Sequence, residues 1–277
     1  MSKNKVEKLS GLAVVTGASS GIGLELAKLA AADGCDLILV ADRDLSEGEA
    51  AVRAAGAASV ETVQGDLATR EGIMAVMQAI GERPVEALIA NAGHGLGQAF
   101  FDQQWKDIAH VIHTNVTGTV ALIHMVGQRM RARNVGRILV TGSIAGHLPG
   151  AFQLVYNSTK SFIDDFCVGL ANEVKDTDLV ITCLMPGVTN TEFFERADLM
   201  DTSAGRQAEE GKGADPAKVA QDGYGALLSG STQITSGFMN KVQRVFADIL
   251  PEEVVAQMHR KLAEPDRHKQ REDASTG

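Results

Sequence analysis

Two residues one helical turn apart carry the most reactive chemistry of this chain. In Tyr156-Asn157-Ser158-Thr159-Lys160 the tyrosine and lysine stand at i and i+4 of a helical pattern, so both functional groups face one pocket. A phenol is a weak acid of pKa about 10, and a nearby ammonium favours its phenolate. Tyr156 is then able to exchange a proton with an alcohol or carbonyl oxygen near neutral pH. Such pairs also decorate helix surfaces, so the pair alone is weak. Ser143, in Thr141-Gly142-Ser143, follows an apolar run and offers a hydroxyl to the same substrate oxygen. Asn115, in His113-Thr114-Asn115-Val116, falls inside a long helical pattern. A buried amide there holds an ordered water linked to Lys160, or makes a plain interhelical contact.

A second chemistry lies near the start. The apolar run Leu12-Ala13-Val14-Val15 stops at Thr16-Gly17-Ala18-Ser19-Ser20-Gly21-Ile22-Gly23, and a helical pattern follows at once. Strand, glycine turn and helix make a dinucleotide cradle. Gly17 permits the tight turn, Gly21 lets backbone approach a pyrophosphate, and Gly23 lets helix pack on strand. Gly17, Ser19, Ser20, Gly21, Ile22 and Gly23 are the candidate cradle residues. Asp42 closes the next apolar run about 20 residues past Gly23, where a carboxylate accepts from the ribose hydroxyls and repels a 2′-phosphate. It argues for NAD. Arg43 is the counter-signal for NADP, since a guanidinium there can hold that phosphate. A solvated Asp/Arg pair capping a loop is the plain alternative. Asp66, with Leu67 beside it, reads as an adenine contact or as a helix N-cap. In Asn91-Ala92-Gly93 the small residues let a cofactor cross the strand end, while Asn91 ties neighbouring strands together.

These residues must be held by elements that alternate. Strand patterns cover Leu12–Thr16, Leu37–Ala41, Ser59–Val63, Ala87–Ala90, Arg137–Thr141 and Leu179–Leu184. Helical patterns cover about Ile22–Ala32, Ser46–Ala55, Arg70–Ile80, Gln104–Arg131 and Leu154–Val174. Several strands are apolar throughout, as in parallel sheets buried on both faces. The alternation predicts an α/β fold with a doubly wound parallel sheet, a Rossmann fold of three layers. Thr191–Asp215 mixes Phe193, Phe194, Leu199 and Met200 with charges and reads as a mobile cover beside the site. Those apolar residues point to a substrate with an apolar portion, or pack the cover onto the body. Pro216–Ser229 and Lys241–Leu262 read as helical, the latter interrupted at Pro251.

Composition bounds the function. The 277 residues suit one domain spanning 1–262, with the cover at about 191–215, a C-terminal helical extension at about 238–262, and a disordered polar tail over 263–277. A net charge of −9 argues against nucleic-acid partners. No apolar stretch reaches membrane-span length. The lysine-rich N-terminus has no secretory pattern, and Cys35, Cys167 and Cys183 have no zinc or disulfide spacing. A cytoplasmic protein is expected. His110, His113 and His124 lack a carboxylate pattern, so no metal site is expected.

Taken together, TGASSGIG, the Asn91-Ala92-Gly93 triplet, Asn115, Ser143, YNSTK and the Pro186-Gly187 turn resemble the short-chain dehydrogenase/reductase superfamily in its short single-domain form, over roughly Leu12 to Thr191. The resemblance implies a catalytic tetrad of Asn115, Ser143, Tyr156 and Lys160. In it Lys160 also binds the nicotinamide ribose and Asn115 holds a proton-relay water. Pro186, Gly187, Thr189 and Thr191 resemble the family's nicotinamide-side loop, with the Thr189 backbone and Thr191 hydroxyl on the carboxamide. The family's usual C-terminal strand is unclear here, with Ile234-Thr235-Ser236-Gly237 as a remnant, which puts tetrameric packing in doubt. Pairing through the two long helices implies at least a homodimer.

The expected function is an NAD(P)-dependent dehydrogenase or reductase of a small alcohol or ketone, with NAD favoured over NADP. Epimerase or dehydratase chemistry on the same scaffold, and a dinucleotide-sensing protein without turnover, are the rivals. His94, His147 and Gln153 flank the motifs and line the substrate pocket, or serve as plain loop residues.

Overall fold

Val14, Val15, Ile38, Leu39, Leu88, Ile89 and Leu139 are wholly buried, and each strand that carries them is apolar on both faces. At roughly 1.5–3 kcal/mol per large side chain, such strands are stable only with a layer packed on each side. The computed structural model, which describes residues 5–242 and 250–266, has that arrangement. Seven parallel strands run in the order β3-β2-β1-β4-β5-β6-β7. They are β1 (Leu12–Thr16), β2 (Asp36–Ala41), β3 (Ser59–Gln64), β4 (Val85–Ala90), β5 (Gly136–Thr141), β6 (Leu179–Met185) and β7 (Gln233–Thr235).

The helices that matter to the site are α1 (Gly21–Ala32), α2 (Ser46–Ala54), α3 (Arg70–Ile80), α4 (Trp105–Ile112), α5 (Thr119–Arg133) and α6 (Leu154–Glu173). One apolar cluster, with Val14, Leu88 and Ile138, fills one face of the sheet; another, with Val15, Leu26 and Leu39, fills the other. The strand order reverses between β1 and β4, so a cleft opens at their carboxyl ends. Into that cleft run the glycine turn, Asp42, the 91–93 triplet and Ser143.

Three departures from the sequence reading matter. The expected single helix over Gln104–Arg131 is broken: a π-helical segment, His113–Gly118, separates α4 from α5. Thr69, not Asp66, caps α3, with its hydroxyl accepting from Gly72 N at 3.0 Å; Asp66 instead accepts from Ala68 N at 2.8 Å. The remnant around Ile234 is a true strand, β7, pairing parallel with β6 from Cys183 to Met185.

The cover over 191–215 holds two short helices, α7 (Phe193–Arg196) and α8 (Ser203–Glu209), around a small core of Phe194, Ala197, Leu199 and Ala204. Leu199 is thus cover core, and Met200 lies at the surface. After the cover, α9 is Pro216–Ser229, with Asp215 capping it and Pro216 in its first turn. In the C-terminal stretch, residues 238–242 are helical and residues 243–249 lie outside the described residues. The helical pattern is broken at Pro251 as expected, this proline standing at the N-cap of α10 (Glu252–Ala263). The tail expected from 263 starts firmly held. Ala263 is buried, Asp266 N donates to Asp201 O at 3.0 Å, and Arg206 pairs with Asp266. Residues 267–277 lie outside the description.

Candidate active site

A cavity of about 630 Å³ follows the switch point from Asp42 and Asp66 to Tyr156 and beyond, beneath the cover and α10. The glycine turn forms one wall. Gly17 and Gly21 have φ of +64° and +58°, a region L-residues avoid. Ser20 holds the N-cap position of α1 without capping it, so the first-turn N–H groups lack a side-chain acceptor. Gly17, Ser19, Ser20, Gly21 and Ile22 all line the cavity. Gly23 does not, because it serves packing: a Cβ there would lie 2.1 Å from Gly17 O and 2.4 Å from Asn91 Nδ2.

Asn91 knots three strand ends together. Its backbone N donates to Thr16 Oγ1 at 3.0 Å, its amide donates to Thr16 O and Gly17 O at 3.3 Å each, and its Oδ1 accepts from Thr141 Oγ1 at 3.0 Å. Ala92 and Gly93 continue the cavity wall, and a Cβ on Gly93 would come within 3.3 Å of Asn115 Oδ1 and 3.4 Å of Lys160 Nζ.

At the reactive end, α6 presents Tyr156 and Lys160 to the cavity, both buried. Lys160 Nζ donates to Thr141 O at 2.7 Å and lies 5.8 Å from the tyrosine ring centroid. Ser143 hydrogen-bonds the Tyr156 phenol and also accepts from Ala145 N at 3.1 Å. Burial pushes the phenol up to about 12; the Ser143 hydroxyl opposes this and the buried Asp164 carboxylate adds to it. The expected lowering by Lys160 is therefore not seen. Desolvation dominates, and it pushes the lysine ammonium downward too, against Asp164.

Asn115 stands just outside the cavity, at the π-helical segment. Its Oδ1 accepts from His94 N at 2.8 Å, and its Nδ2 donates to His94 O at 2.9 Å and to Thr159 Oγ1 at 3.0 Å. The extra residue per turn of a π segment turns the amide out of the α5 register toward these partners. Asn115 therefore clamps the 93–95 loop to α6, and its amide is occupied by protein groups. At the far side of the site Pro186, Gly187, Thr189 and Thr191 line the cavity, with Thr189 Oγ1 donating to Gly187 O at 2.9 Å.

At the other end, Asp42 lines the cavity and is held down at about 2, first by a hydrogen bond from His94 and also by the charge of Arg43. His94 Nε2 lies 3.3 Å from Asp42 Oδ2. The histidine thus sits at the Asp42 end and not at the substrate end expected for it. It meets His110 edge-on at 4.7 Å, and His110 Nδ1 lies 3.8 Å from Asp66 Oδ2. Arg43 is turned to the rim, where its guanidinium pairs with Glu192 of the cover at 2.7 Å. Leu67 lines the cavity beside Asp66. Gln153 lines the cavity near Tyr156, whereas His147 lies behind the site, 4.0 Å from Asp164. Among the described residues no group of histidines, cysteines and carboxylates could hold a metal ion.

Sequence reasoning missed the contribution of the C-terminus. His259, Leu262 and Ala263 of α10 line the substrate end, together with Met239 and with Gln207 of α8. The signal was there in Val255, His259 and Ala263, three residues on one helical stripe that are all buried. Phe193 of the cover faces Tyr156, ring centroids 5.1 Å apart.

This geometry can be compared with known proteins. The sequence profile of the short chain dehydrogenase family matches residues 11–201, more than half of the chain. The chain belongs to the short chain dehydrogenase family. It is 31% identical over 196 residues to estradiol 17-beta-dehydrogenase 1 of Rattus norvegicus, a match covering 68% of this chain and 57% of that protein. It is likewise 31% identical over 189 residues to sulfoacetaldehyde reductase 2 of Chromohalobacter salexigens, covering 67% and 75%. The match to the rat and human 17-beta enzymes spans 57% and 58% of their length. Among solved structures, a 7beta-hydroxysteroid dehydrogenase superposes with a TM-score of 0.81 at 20% identity, covering 92% of this chain and 99% of that one, and speaks for the fold. A putative NAD(P)-dependent gluconate 5-dehydrogenase from Beutenbergia cavernae, with bound NADP, has a TM-score of 0.69 at 26% identity over 82% and 95%.

Proposed function

We propose that this protein is an NAD(P)-dependent oxidoreductase that interconverts a secondary alcohol and its ketone, with Tyr156 as the proton-transferring group. The observation that carries this reading is a single cavity with Tyr156, Ser143 and Lys160 at one end and a bare glycine turn, an uncapped helix N-terminus and Asp42 at the other. The residues fit a dinucleotide. The α1 terminus and turn offer unpaired N–H groups for a pyrophosphate, and a Cβ at Gly21 would meet Thr191 at 2.9 Å across the groove. Asp42, strongly acidic, suits ribose hydroxyls and so favours NAD. Asp66 and Leu67 would flank the adenine, and Pro186, Gly187, Thr189 and Thr191 the nicotinamide carboxamide.

When bound, the dinucleotide supplies or accepts a hydride at the carbinol carbon. The chain does the rest. Ser143 holds the substrate oxygen against the Tyr156 phenol, which gives its proton to a carbonyl or, as phenolate, takes one from an alcohol. Lys160, anchored on Thr141 O, would hold the nicotinamide ribose. Asn115 fixes the 93–95 loop against α6 and so keeps the pocket in register. Phe193, Leu148, Met239 and Leu262 give the substrate end an apolar lining, which suits an apolar substrate. The likeness to enzymes named for estradiol and sulfoacetaldehyde supports alcohol and carbonyl chemistry.

We further propose a cytoplasmic homodimer. Phe100, Ile112, Leu154 and Phe162 line an apolar groove where α4 meets α6, with Trp105 exposed nearby, and the facing helices of a second copy would cover it. No helix among the described residues is long and apolar enough to cross a membrane.

Calorimetric titration with NADH and NADPH, followed by a panel of ketones and secondary alcohols read by nicotinamide absorbance, tests the function. Binding with turnover supports it. Failure to bind either cofactor overturns it. Binding without turnover on any substrate favours a sensing protein. A product formed without net cofactor consumption favours an epimerase or dehydratase.

A further inference from the structure

Arg43 is the residue that could admit a phosphorylated cofactor, and the cover has already engaged it. Its Nε is 3.9 Å from Asp42 Oδ1, so its guanidinium stands beside the carboxylate that suits the ribose hydroxyls. A phosphate ester on one of those hydroxyls would be within reach of such a group. Yet the guanidinium NH1 is 2.7 Å from Glu192 Oε2, and Arg43 does not line the cavity. Glu192 opens α7, immediately after Thr191. The same Glu192 oxygen accepts from Ser20 Oγ at 3.4 Å. One carboxylate therefore links the end of β2, the glycine turn and the cover across the mouth of the groove. The fourth charge there is Arg196, which lines the cavity from the cover and is pushed down by burial and by Arg43.

Resting on the dinucleotide reading above, we propose that Glu192 is a positioning residue for cofactor choice: it holds Arg43 at the rim and so denies a guanidinium to a ribose 2′-phosphate. Asp42 repels that phosphate directly, and Glu192 removes the cation that would compensate. The two carboxylates act in the same direction, both against the 2′-phosphate. Glu192 touches neither Tyr156, Ser143 nor Lys160 in the described contacts; its partners are Arg43 at the adenosine end and Ser20 of the glycine turn. The pair is half-exposed, Glu192 at 50% and Arg43 at 37%. An ion pair so placed is individually weak, which makes Arg43 easy to release by a single substitution.

The test is a double-mutant cycle read by cofactor binding. Dissociation constants for NADH and NADPH are measured at fixed ionic strength for wild type, Glu192→Gln, Arg43→Ala and the double variant. The expected result is a wild type that prefers NADH, and a Glu192→Gln protein that binds NADPH up to about fivefold more tightly while NADH changes less than about twofold. In the Arg43→Ala background, Glu192→Gln should have no effect on NADPH. An unchanged NADPH-to-NADH ratio in Glu192→Gln overturns the proposal. So does the same shift with and without Arg43, or a wild type that prefers NADPH. Wild type binding neither nucleotide overturns the dinucleotide reading itself, a distinguishable outcome.

Discussion

His259 of α10 and Asn157 of α6 share a hydrogen bond one residue from the proposed acid/base. The imidazole Nε2 lies 3.3 Å from Asn157 Nδ2, and its Nδ1 lies 3.1 Å from Ala151 O. A carbonyl only accepts, so Nδ1 donates and Nε2 accepts the amide hydrogen, which defines a neutral tautomer. Burial pushes the His259 pKa below its ordinary value of 6.5. The sign follows. As pH falls below about 6.5 the unfolded chain takes up a proton that folded His259 resists, so stability above that pH is full and is lost on acidification through the depressed pKa. Melting temperatures from pH 8 to 5 should fall more steeply in wild type than in His259→Gln, which has no such proton to gain. Parallel curves would show that His259 takes up its proton at the same pH in the folded and the unfolded chain, which would refute the depressed pKa.

Tyr156 gives the second prediction. Its phenol is pushed up to about 12, mainly by burial. Ketone reduction uses the phenol and should be nearly flat from pH 6 to 9. Alcohol oxidation uses the phenolate, so its kcat/KM should rise about tenfold per pH unit over the same range. Tyr156→Phe should cost roughly 10²–10⁴ in turnover while leaving cofactor binding within about threefold. An oxidation profile that levels off below pH 8 would mean that the working complex overrides the burial of the phenol.

Asp42→Ala should weaken NADH binding and narrow the preference over NADPH. The side chain is a full carboxylate at neutral pH, and the hydrogen bond from His94 holds its pKa lower still, at about 2. Its loss removes a charge-assisted acceptor of roughly 1.5–3 kcal/mol, or more than tenfold in Kd. His94→Phe removes the partner but keeps the carboxylate, and should preserve the preference. Calorimetry on both variants checks the assignment, and equal losses for the two cofactors in Asp42→Ala would place Asp42 away from the ribose.

The apolar groove at α4 and α6 bears on assembly. Phe162 is 47% exposed and stacks on Phe166, 6.0 Å between ring centroids. A Phe162→Glu change would bury a charge in the proposed subunit contact, so sedimentation should move from dimer to monomer. A wild type that sediments as a monomer would refute the pairing.

How much of this was readable beforehand follows from the range over which each feature is encoded. The strand Leu12–Thr16 and the helices Arg70–Ile80 and Pro216–Ser229 match the reading to the residue, because apolar period, caps and proline are local signals. The break at His113–Gly118 escaped, since its helical pattern is unbroken and the π segment answers to contacts with His94 and Thr159, distant in sequence. For the same reason Asp42, Tyr156 and Lys160 were legible as motif residues, whereas Glu192 and His259 were not. Their partners, Arg43 and Asn157, lie more than a hundred residues away. The expected lowering of the Tyr156 pKa failed because spacing reveals proximity but not desolvation.

Gly23 and Gly225 make a last, opposed pair. Both lie inside helices, where alanine is intrinsically favoured over glycine by roughly 0.5–1 kcal/mol. At Gly225 in α9 an added Cβ meets nothing within 4 Å, so Gly225→Ala should raise stability by about that amount. At Gly23 the added methyl would lie 2.1 Å from Gly17 O and 2.4 Å from Asn91 Nδ2. Neither neighbour can yield cheaply, since one is turn backbone and the other bonds Thr16 and Gly17. Gly23→Ala should therefore destabilise by roughly 1–3 kcal/mol, and should weaken dinucleotide binding more than it lowers the melting temperature, because the part it displaces is the cradle itself. Denaturant titrations of both variants with and without NADH separate the two effects. A Gly23→Ala protein that keeps full NADH affinity would show that close packing of α1 on the turn is not what shapes the pyrophosphate end of the groove.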